Sequence, residues 1–299
     1  MDMLAAGTEG ATATRELGEH LDTTTDDRSG LRMSLPARAE NVAVVRHAIA
    51  GLGERLGMDE PAVADLKTVV TEAAMNVVVH AYPEGSDGVL EVDAFAEGDG
   101  LTVEVRDQGM GIRPRPDVDR PSLRIGLTLI AALSSSFEIA GGTGRGTAIR
   151  MHLPLRGAAD DVLDPDPETV ATAPAPELTE VRVGPPELVG AVLSRVLGAL
   201  AARQEISVDR LSDAMLLSDA IAAAAPRGFA DGHVSLSLAD GPSGVVLRIG
   251  PMLEGAGARV RDSLDLPEGG SLATLADDLR VESDPNGDHL VIEIAALAR

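Results

Sequence analysis

The 299-residue sequence has no cysteine and no tryptophan, and it has only one tyrosine and three phenylalanines. Without cysteine the chain forms no disulfide, offers no thiolate to a metal and has no cysteine nucleophile. So few aromatic side chains leave no platform on which nucleic-acid bases could stack. The sequence also lacks an uncharged apolar run of about 18 residues, so no helix is expected to span a bilayer.

The net charge of the chain is strongly negative, formally -23 at pH 7. A charge of this sign disfavours binding of the whole chain to nucleic acid or to an anionic membrane. The first residues, Met1–Leu4, lack the basic segment that begins a secretory signal. We therefore expect a soluble protein of the cytoplasm.

More than half of the net charge lies in two short segments, residues 1–30 and 157–180. The first is rich in threonine, glycine and aspartate, and the second combines acidic residues with proline and alanine. Neither has enough large apolar side chains to offset the entropy lost on ordering. We therefore expect a flexible acidic tail, an acidic Pro/Ala linker and two domains, 31–156 and 181–299.

Apolar periodicity predicts the elements of the first domain in the order helix, helix, strand, strand, loop, helix, strand, strand. The expected ranges are residues 40–57, 61–81, 89–95, 101–105, a helix near 126–134, 137–139 and 148–153. This order predicts an α+β fold, a two-layer α/β sandwich in which a mostly antiparallel sheet carries helices on one face.

The sequence after the linker repeats this order, which we interpret as a tandem duplication. Residues 71–76 align with 218–223, residues 101–105 with 245–249, and residues 148–153 with 290–294. The alternative is a coincidence between two small α/β domains, because short apolar strands match easily.

The first candidate motif lies on the second helix, where Glu72, Asn76 and His80 are spaced four residues apart and so share one helix face. A carboxylate and an amide one turn apart suit a site where the carboxylate polarises a nucleophile and the amide oxygen binds Mg²⁺. The same residues also fit the solvated surface of an ordinary helix.

Two glycine-rich motifs follow. Asp107 stands at the end of a strand before Gly109 and Gly111, which gives a fixed acceptor beside a backbone that a flat ligand can approach closely. Residues 141–147 offer more such backbone, ending in Gly146 and the hydroxyl of Thr147. An ordinary strand-exit turn and a loose hairpin explain these residues equally well.

Taken together, Glu72-x-x-x-Asn76, Asp107-x-Gly109-x-Gly111 and Gly146-Thr147 resemble, in type and order, the histidine-kinase-like ATPase superfamily (the GHKL or Bergerat fold). Within it, residues 71–82 and 106–112 look like those of the bacterial anti-sigma-factor serine kinases of partner switching. The resemblance covers residues 31–156 and is weak in residues 181–299, which we interpret as a degenerate copy.

The resemblance implies a role for each matching residue. Asn76 would bind the Mg²⁺ that bridges the ATP phosphates, Asp107 would accept a hydrogen bond from the adenine amino group with support from Thr147, and Glu72 would be the general base on a protein serine hydroxyl. Gly126 would begin a helix whose N-terminus faces phosphate. The other residues expected to bind nucleotide are His80, Gly109, Gly111, Arg124 and Gly146. The implied partners are a sigma factor and a STAS-domain anti-anti-sigma protein.

The sequence departs from the family in the nucleotide lid. Where the family has alternating glycines, Pro121–Gly126 keeps only the last one, and the surrounding loop carries four arginines, Arg113, Arg115, Arg120 and Arg124. One interpretation is that arginines replace glycine amides as phosphate ligands. The other is that a lid with Cβ atoms cannot wrap a triphosphate, so that nucleotide binds weakly or not at all.

The second domain has lost the matching residues in the sequence alignment. Asn76 aligns with Ala223, Asp107 with Ile249, Gly109 with Pro251 and His80 with Arg227, while Glu72 aligns with Asp219. Without a metal ligand or an adenine acceptor, this copy is not expected to bind ATP. It could supply the surface of an internal pseudo-dimer or a separate partner-binding face.

The sequence is therefore consistent with three functions. The first is an ATP- and Mg²⁺-dependent protein serine kinase that is also an anti-sigma factor. The second is a non-catalytic pseudokinase that captures a regulatory partner, which the altered lid favours. The third, the ATPase half of a sensor histidine kinase, is disfavoured because the sequence has no phosphoacceptor-helix pattern and no membrane segment.

Overall fold

Ten strands form one antiparallel sheet in the computed structural model, which describes residues 30–83, 86–111, 121–141, 144–155, 178–203, 208–230, 232–241, 244–264 and 271–295. The predicted tail 1–30 and linker 157–180 lie almost entirely outside the described residues. Helices pack against this sheet, and the helix Glu60–Asn76 contacts the strands Gly100–Asp107 and Thr147–Pro154. The predicted α+β sandwich with its mostly antiparallel sheet is confirmed.

The first half of the structure contains five strands and three helices. The strands are β1 (Gly30–Pro36), β2 (Val89–Glu97), β3 (Gly100–Asp107), β4 (Ser136–Gly141) and β5 (Thr147–Pro154), and the helices are α1 (Ala39–Arg55), α2 (Glu60–Asn76) and α3 (Pro121–Leu133). From the centre of the sheet outward the strands run β1-β2-β3-β5-β4.

The second half repeats this arrangement. Its strands are β6 (Thr179–Gly184), β7 (Val234–Gly241), β8 (Gly244–Met252), β9 (Asp278–Asp284) and β10 (Gly287–Ala295), and its helices are α4 (Pro186–Arg203), α5 (Val208–Ala224) and the short α6 (Ala256–Asp262). From the centre outward they run β6-β7-β8-β10-β9, which is the order of the first half. Equal strand orders in sequential halves agree with a duplication.

The two halves meet at a seam between β1 and β6. These strands pair antiparallel, with Gly30 opposite Gly184 and Ser34 opposite Glu180, so the sheet continues from one half into the other. Helices α1 and α4 pack against each other over this seam. The sequence did not predict β1 or β6, although Leu31, Met33 and Leu35 alternate and are buried.

The start of α2 follows ordinary helix chemistry. The side chain of Asp59 accepts a hydrogen bond from the Ala62 amide at 3.0 Å, and Pro61 stands in the first turn, where a missing N–H costs nothing. One face of α2 then enters the core through Leu66, Val69, Val70, Ala73 and Ala74. After Asn76 the helix continues as a wider π-helical turn, Val77–Ala81, so its end agrees with the predicted limit near Ala81.

One prediction for the first half is wrong. The helix expected near 126–134 begins at Pro121, five residues earlier, so residues 121–125 are helical rather than a lid loop. Proline suits a first helical turn, and residues 122–125 contain no glycine to interrupt the helix. Within the described ranges, no helix is both long and apolar enough to cross a membrane.

Candidate nucleotide site

The three motifs of the first half meet at one edge of the sheet, where α2 ends and β3 ends. The amide of Met110 donates to the carbonyl of Ala81 at 2.8 Å, which fastens the turn after β3 to the end of the π-helical turn. The amide of Gly146 donates to the carbonyl of Gly109 at 3.2 Å, which fastens the turn before β5 to the same segment. Backbone hydrogen bonds thus join three segments that are distant in sequence.

Asp107 is the last residue of β3 and is 7% exposed. Its Oδ1 accepts a hydrogen bond from the Gly109 amide at 2.8 Å, and it lies opposite Thr147 in the β3–β5 pairing. Burial raises the pKa of the Asp107 carboxyl, and hydrogen bonds from the Gly109 amide and from Thr147 oppose this rise. A buried carboxylate held in this way has a fixed orientation and keeps lone pairs for a further donor.

Glycine is required where these segments touch. A Cβ on Gly109 would collide with the Ala81 carbonyl, and a Cβ on Gly146 would collide with the Asp107 carbonyl. Gly146 also has a φ of 71°, a left-handed conformation that L side chains rarely adopt. The glycines of the second and third motifs therefore let three backbone segments approach each other around Asp107.

Glu72 and Asn76 lie on the last turns of α2, and both are partly buried. A Cβ built on Gly126 would lie 2.7 Å from Glu72 Oε2, so the carboxylate rests against the backbone of α3. The structure therefore corrects the expectation for Gly126: it is not the start of α3 but the point in its interior where Glu72 contacts the helix.

The amide of Asn76 supplies a test of whether the site fits a metal-bound nucleotide. Its Nδ2 is buried and has no hydrogen-bond partner among the described residues. A buried amide nitrogen is normally paired, so this one is suited to a ligand. The amide oxygen would then bind Mg²⁺, and the nitrogen would donate to phosphate or water. Among the described residues, no cluster of three or more His, Cys, Asp or Glu could hold a metal ion.

The remaining predicted residues are placed differently. His80 lies within the π-helical turn, so the wider turn ends the regular four-residue spacing that Glu72 and Asn76 share. Gly111 has a left-handed φ of 68° directly after the Gly109 segment. The side chain of Arg124 lies outside the described part of the structure, as do Arg113, Arg115 and Arg120.

Tyr82 lies within the segment 71–82 that resembles the family, but the sequence did not predict a role for it. Its hydroxyl accepts hydrogen bonds from the amides of Val89 and Gln108, both at 3.0 Å, and donates to the Val89 carbonyl at 2.7 Å. It therefore ties the end of the π-helical turn to β2 and to the residue that follows Asp107. A signal was present in the repeat, because Tyr82 aligns with Phe229, which has no hydroxyl.

Helix register corrects the alignment of the second half. The buried residues of α2 and α5 correspond at a spacing of 148 positions, as the pairs Leu66 with Ala214 and Ala73 with Ile221 show, and both helices have 17 residues. Glu72 therefore corresponds to Ala220 and not to Asp219, and Asn76 corresponds to Ala224 and not to Ala223. The second half has lost the carboxylate, which the sequence alignment had retained in shortened form.

Strand register makes a similar correction for Asp107. Val105 pairs with Val92 and Ile149, and Ile249 pairs with Leu236 and Leu290, in the corresponding strands of each half. Val105 and Ile249 are therefore equivalent. A register shift follows in β8, where Met252 pairs with Asp288 as Asp107 pairs with Thr147, so Asp107 corresponds to Met252 rather than to Ile249. Methionine has no carboxylate, and the expected loss of the adenine acceptor is unchanged.

The second half contains a carboxylate of its own near this position. Asp288, 5% exposed, accepts hydrogen bonds from the Ser283 hydroxyl at 2.7 Å and from the Gly257 amide of α6 at 3.2 Å. The Ser283 hydrogen bond, above all, lowers the pKa of Asp288. The carboxylate of Asp288 thus accepts a hydrogen bond from a backbone amide in the first turn of α6.

Comparison with known proteins agrees with this geometry. Residues 35–153 match the histidine kinase-like ATPase domain. Proteins named anti-sigma F factor are also similar to this chain: that of a Thermoanaerobacter species is 27% identical over 130 residues, 40% of this chain and 90% of the relative. Those of Clostridium acetobutylicum and Heyndrickxia coagulans are each 29% identical, over 40% and 44% of this chain and 90% and 97% of the relatives. Residues 35–153 are therefore similar to histidine kinase-like ATPase domains, and the relatives reported for this chain are named anti-sigma F factors.

Proposed function

We propose that the first half, residues 31–156, is an ATP- and Mg²⁺-dependent protein serine kinase that also acts as an anti-sigma factor. The observation that carries the proposal is the junction of the three motifs around the buried carboxylate of Asp107. The similarity to proteins named anti-sigma F factor supports the anti-sigma role. The kinase activity and its serine substrate are our extension of that likeness.

Each residue has a part in this proposal. Asp107 would accept a hydrogen bond from the adenine amino group and Asn76 would bind Mg²⁺. The nucleotide site would be completed by His80, Gly109, Gly111, Arg124, Gly126, Gly146 and Thr147. Bound ATP supplies the γ-phosphoryl group for transfer. Glu72 accepts the proton of the substrate serine hydroxyl. The serine oxygen bonds to the γ-phosphorus, and the bond between that phosphorus and the β–γ bridging oxygen breaks. The products of the reaction are phosphoserine and ADP.

The proposed substrate is a STAS-domain anti-anti-sigma protein, and the captured partner is a sigma factor that controls transcription. Phosphorylation of the STAS protein would leave the kinase available to bind the sigma factor. Since all these partners work beside the transcription machinery, we place the protein in the cytoplasm.

We also propose that the second half, residues 181–299, takes the place of a second protomer. The pairing of β1 with β6 and the packing of α1 on α4 support this internal pseudo-dimer, because they cover the edge of β1. The full chain is then expected to be a monomer by light scattering. A truncated chain without residues 181–299 that stays a monomer with full kinase activity would contradict the pseudo-dimer.

Nucleotide binding is tested by thermal unfolding with and without ATP–Mg²⁺. Ligand at a hundred times its dissociation constant should stabilise the wild type by about 2.7 kcal/mol. Asn76→Ala and Asp107→Ala should each reduce this shift. A shift that survives both substitutions would show that the nucleotide binds elsewhere.

Catalysis is tested separately by transfer of labelled phosphate to a STAS protein. Glu72→Ala should abolish the transfer while nucleotide binding persists, because the carboxylate acts on the serine proton and not on the nucleotide. Equal loss of binding and transfer would assign Glu72 to nucleotide binding instead.

One observation favours a second function, a pseudokinase that captures a regulatory partner without turnover. Residues 121–125 are helical, so the segment expected to wrap the phosphates is part of α3. For such a protein ATP–Mg²⁺ would give no thermal shift, while the sigma factor would still bind.

A further inference from the structure

The turn that follows α2 in the first half is one residue longer than the turn that follows α5 in the second half. Up to this point the two helices match: buried residues of α5 lie 148 positions after those of α2, and the match extends from Leu66 with Ala214 to Val77 with Ala225. The same core register is therefore present at the end of both helices.

Beyond the helices the spacing changes. The Met110 amide donates to the Ala81 carbonyl, and the Leu253 amide donates to the Gly228 carbonyl, both at 2.8 Å. Each turn ends at an aromatic residue in an extended conformation, Tyr82 in the first half and Phe229 in the second, and these two residues are 147 positions apart. One residue has thus been gained in the first half, or lost in the second, between the helix and this aromatic residue.

The additional residue lies in the π-helical turn. The first half crosses this stretch with five residues, Val77–Ala81, and the second half crosses it with the four residues Ala225–Gly228 as a 3₁₀ turn. Val77 and Ala81 are buried at the two ends, so the longer turn has to widen between them, and Val79 in its middle is 54% exposed. Single π-helical turns of this kind occur frequently at functional sites.

The wider turn begins directly after Asn76, whose amide nitrogen is buried without a partner among the described residues. In the second half, where the turn is one residue shorter, the corresponding residue is Ala224 and the counterpart of Glu72 is Ala220. The longer turn therefore occurs in the half that has the proposed metal and base residues.

We propose that the additional residue of the π-helical turn is a positioning element, which orients the Asn76 amide toward the Mg²⁺-bound phosphates of the nucleotide. The inference rests on the proposed function and assigns to it a structural requirement. The turn itself can form without the extra residue, since the second half passes from its helix to Phe229 in four residues. The cation-dependent part of nucleotide affinity needs it.

The experiment uses the full chain with Val79 deleted, which removes one residue at the most exposed position of the turn. ATP affinity is measured by calorimetry with Mg²⁺ and again with chelator. In the wild type Mg²⁺ should tighten binding, and in the deletion variant this tightening should fall at least tenfold while unfolding stays cooperative. Val79→Ala is the matched control, since it removes the side chain but keeps the turn length, and it should behave as the wild type.

A second variant guards against a deletion that simply fails to fold. In it, residues 77–81 are replaced by the four residues Ala225–Gly228 of the second half, which already lead from a helix to an aromatic residue. If both variants fail to fold, the residue is structural and the proposal is overturned. It is equally overturned if a folded variant keeps the Mg²⁺ effect, or if Val79→Ala loses it. A wild type that does not bind ATP would instead reject the proposed function.

Discussion

The backbone amide of Gln108 donates a hydrogen bond to the hydroxyl of Tyr82 at 3.0 Å, one residue beyond the buried carboxylate of Asp107. The same hydroxyl is bonded to both backbone groups of Val89. Burial raises the pKa of Tyr82, so the hydroxyl stays protonated at neutral pH and can donate as well as accept. The side chain of Tyr82 thus fixes the backbone directly after Asp107, at the end of β3.

Tyr82→Phe should weaken both the fold and nucleotide selection. Removing the hydroxyl leaves the amides of Val89 and Gln108 without this partner, and one such loss costs about 1–3 kcal/mol of unfolding free energy. Because Asp107 then loses its anchor, the preference for ATP over GTP should also fall. Urea unfolding and calorimetry with both nucleotides measure the two effects.

The control for this substitution is Phe229→Leu, which alters the aligned aromatic of the second half and involves no hydroxyl. It should leave the ratio of ATP to GTP affinity unchanged. If Tyr82→Phe lowers stability but keeps that ratio, then Tyr82 supports the fold without orienting Asp107.

Gly126→Ala should reduce phosphate transfer. Alanine in a helix is usually more favourable than glycine by about 1 kcal/mol, but the new Cβ would lie 2.7 Å from Glu72 Oε2 and displace the carboxylate. Gly198→Ala in α4 is the matched control, because a Cβ there meets nothing within 4 Å. It should stabilise the protein with no change in kinetics, and equal kinetics for both variants would show that the position of Glu72 does not limit transfer.

Asp107→Asn should lower the affinity for nucleotide and raise the free energy of unfolding at pH 7. Burial raises the pKa of Asp107 in the folded state, so its contribution to stability is fully present below the ordinary value of 3.8 and is lost as the pH rises through the folded value. The asparagine variant carries no such charge. It should therefore be more stable than the wild type at pH 7, and the difference should shrink toward pH 4.

Urea unfolding at the two pH values measures this difference, and calorimetry should show at least a tenfold loss of ATP affinity in the variant, about 1.4 kcal/mol. Asp288→Asn provides the opposite sign, since hydrogen bonds lower the pKa of Asp288 and its stabilisation is lost as the pH falls. A pH-independent difference for Asp107→Asn would mean that this carboxylate is not destabilised by burial.

The sequence predicted those parts of the structure that depend on local patterns. Alternation marked β2 and β3, and Asp107 stands at a strand end as expected. The same alternation in β1 went unassigned, and its pairing with β6 links residues about 150 positions apart, which no local pattern contains. The π-helical turn is also absent from local periodicity, and it becomes visible only when the two halves are compared in register.

The correspondence between the halves shows why single-residue alignment was insufficient. Matching Glu72 to Asp219 kept similar side chains together, but it moved α5 by one position relative to its buried face. Burial decides helix register because a shift of one residue turns the apolar face by about 100°. The carboxylate of Asp219 accepts instead from the Ser194 hydroxyl of α4 at 2.9 Å.

Gly51→Ala tests the contact between the halves. A Cβ at Gly51 would lie 2.7 Å from Arg195 Cδ and 2.8 Å from the Ala191 carbonyl of α4, and the carbonyl is backbone that cannot turn aside. The substitution should therefore separate α1 from α4 and destabilise the protein, although alanine in a helix is normally favoured over glycine. Gly198→Ala, with no such neighbour, again serves as the control. Hydrogen exchange should show faster opening of β1 and β6 in Gly51→Ala than in the control, and equal protection would mean that the seam holds without close packing of these helices.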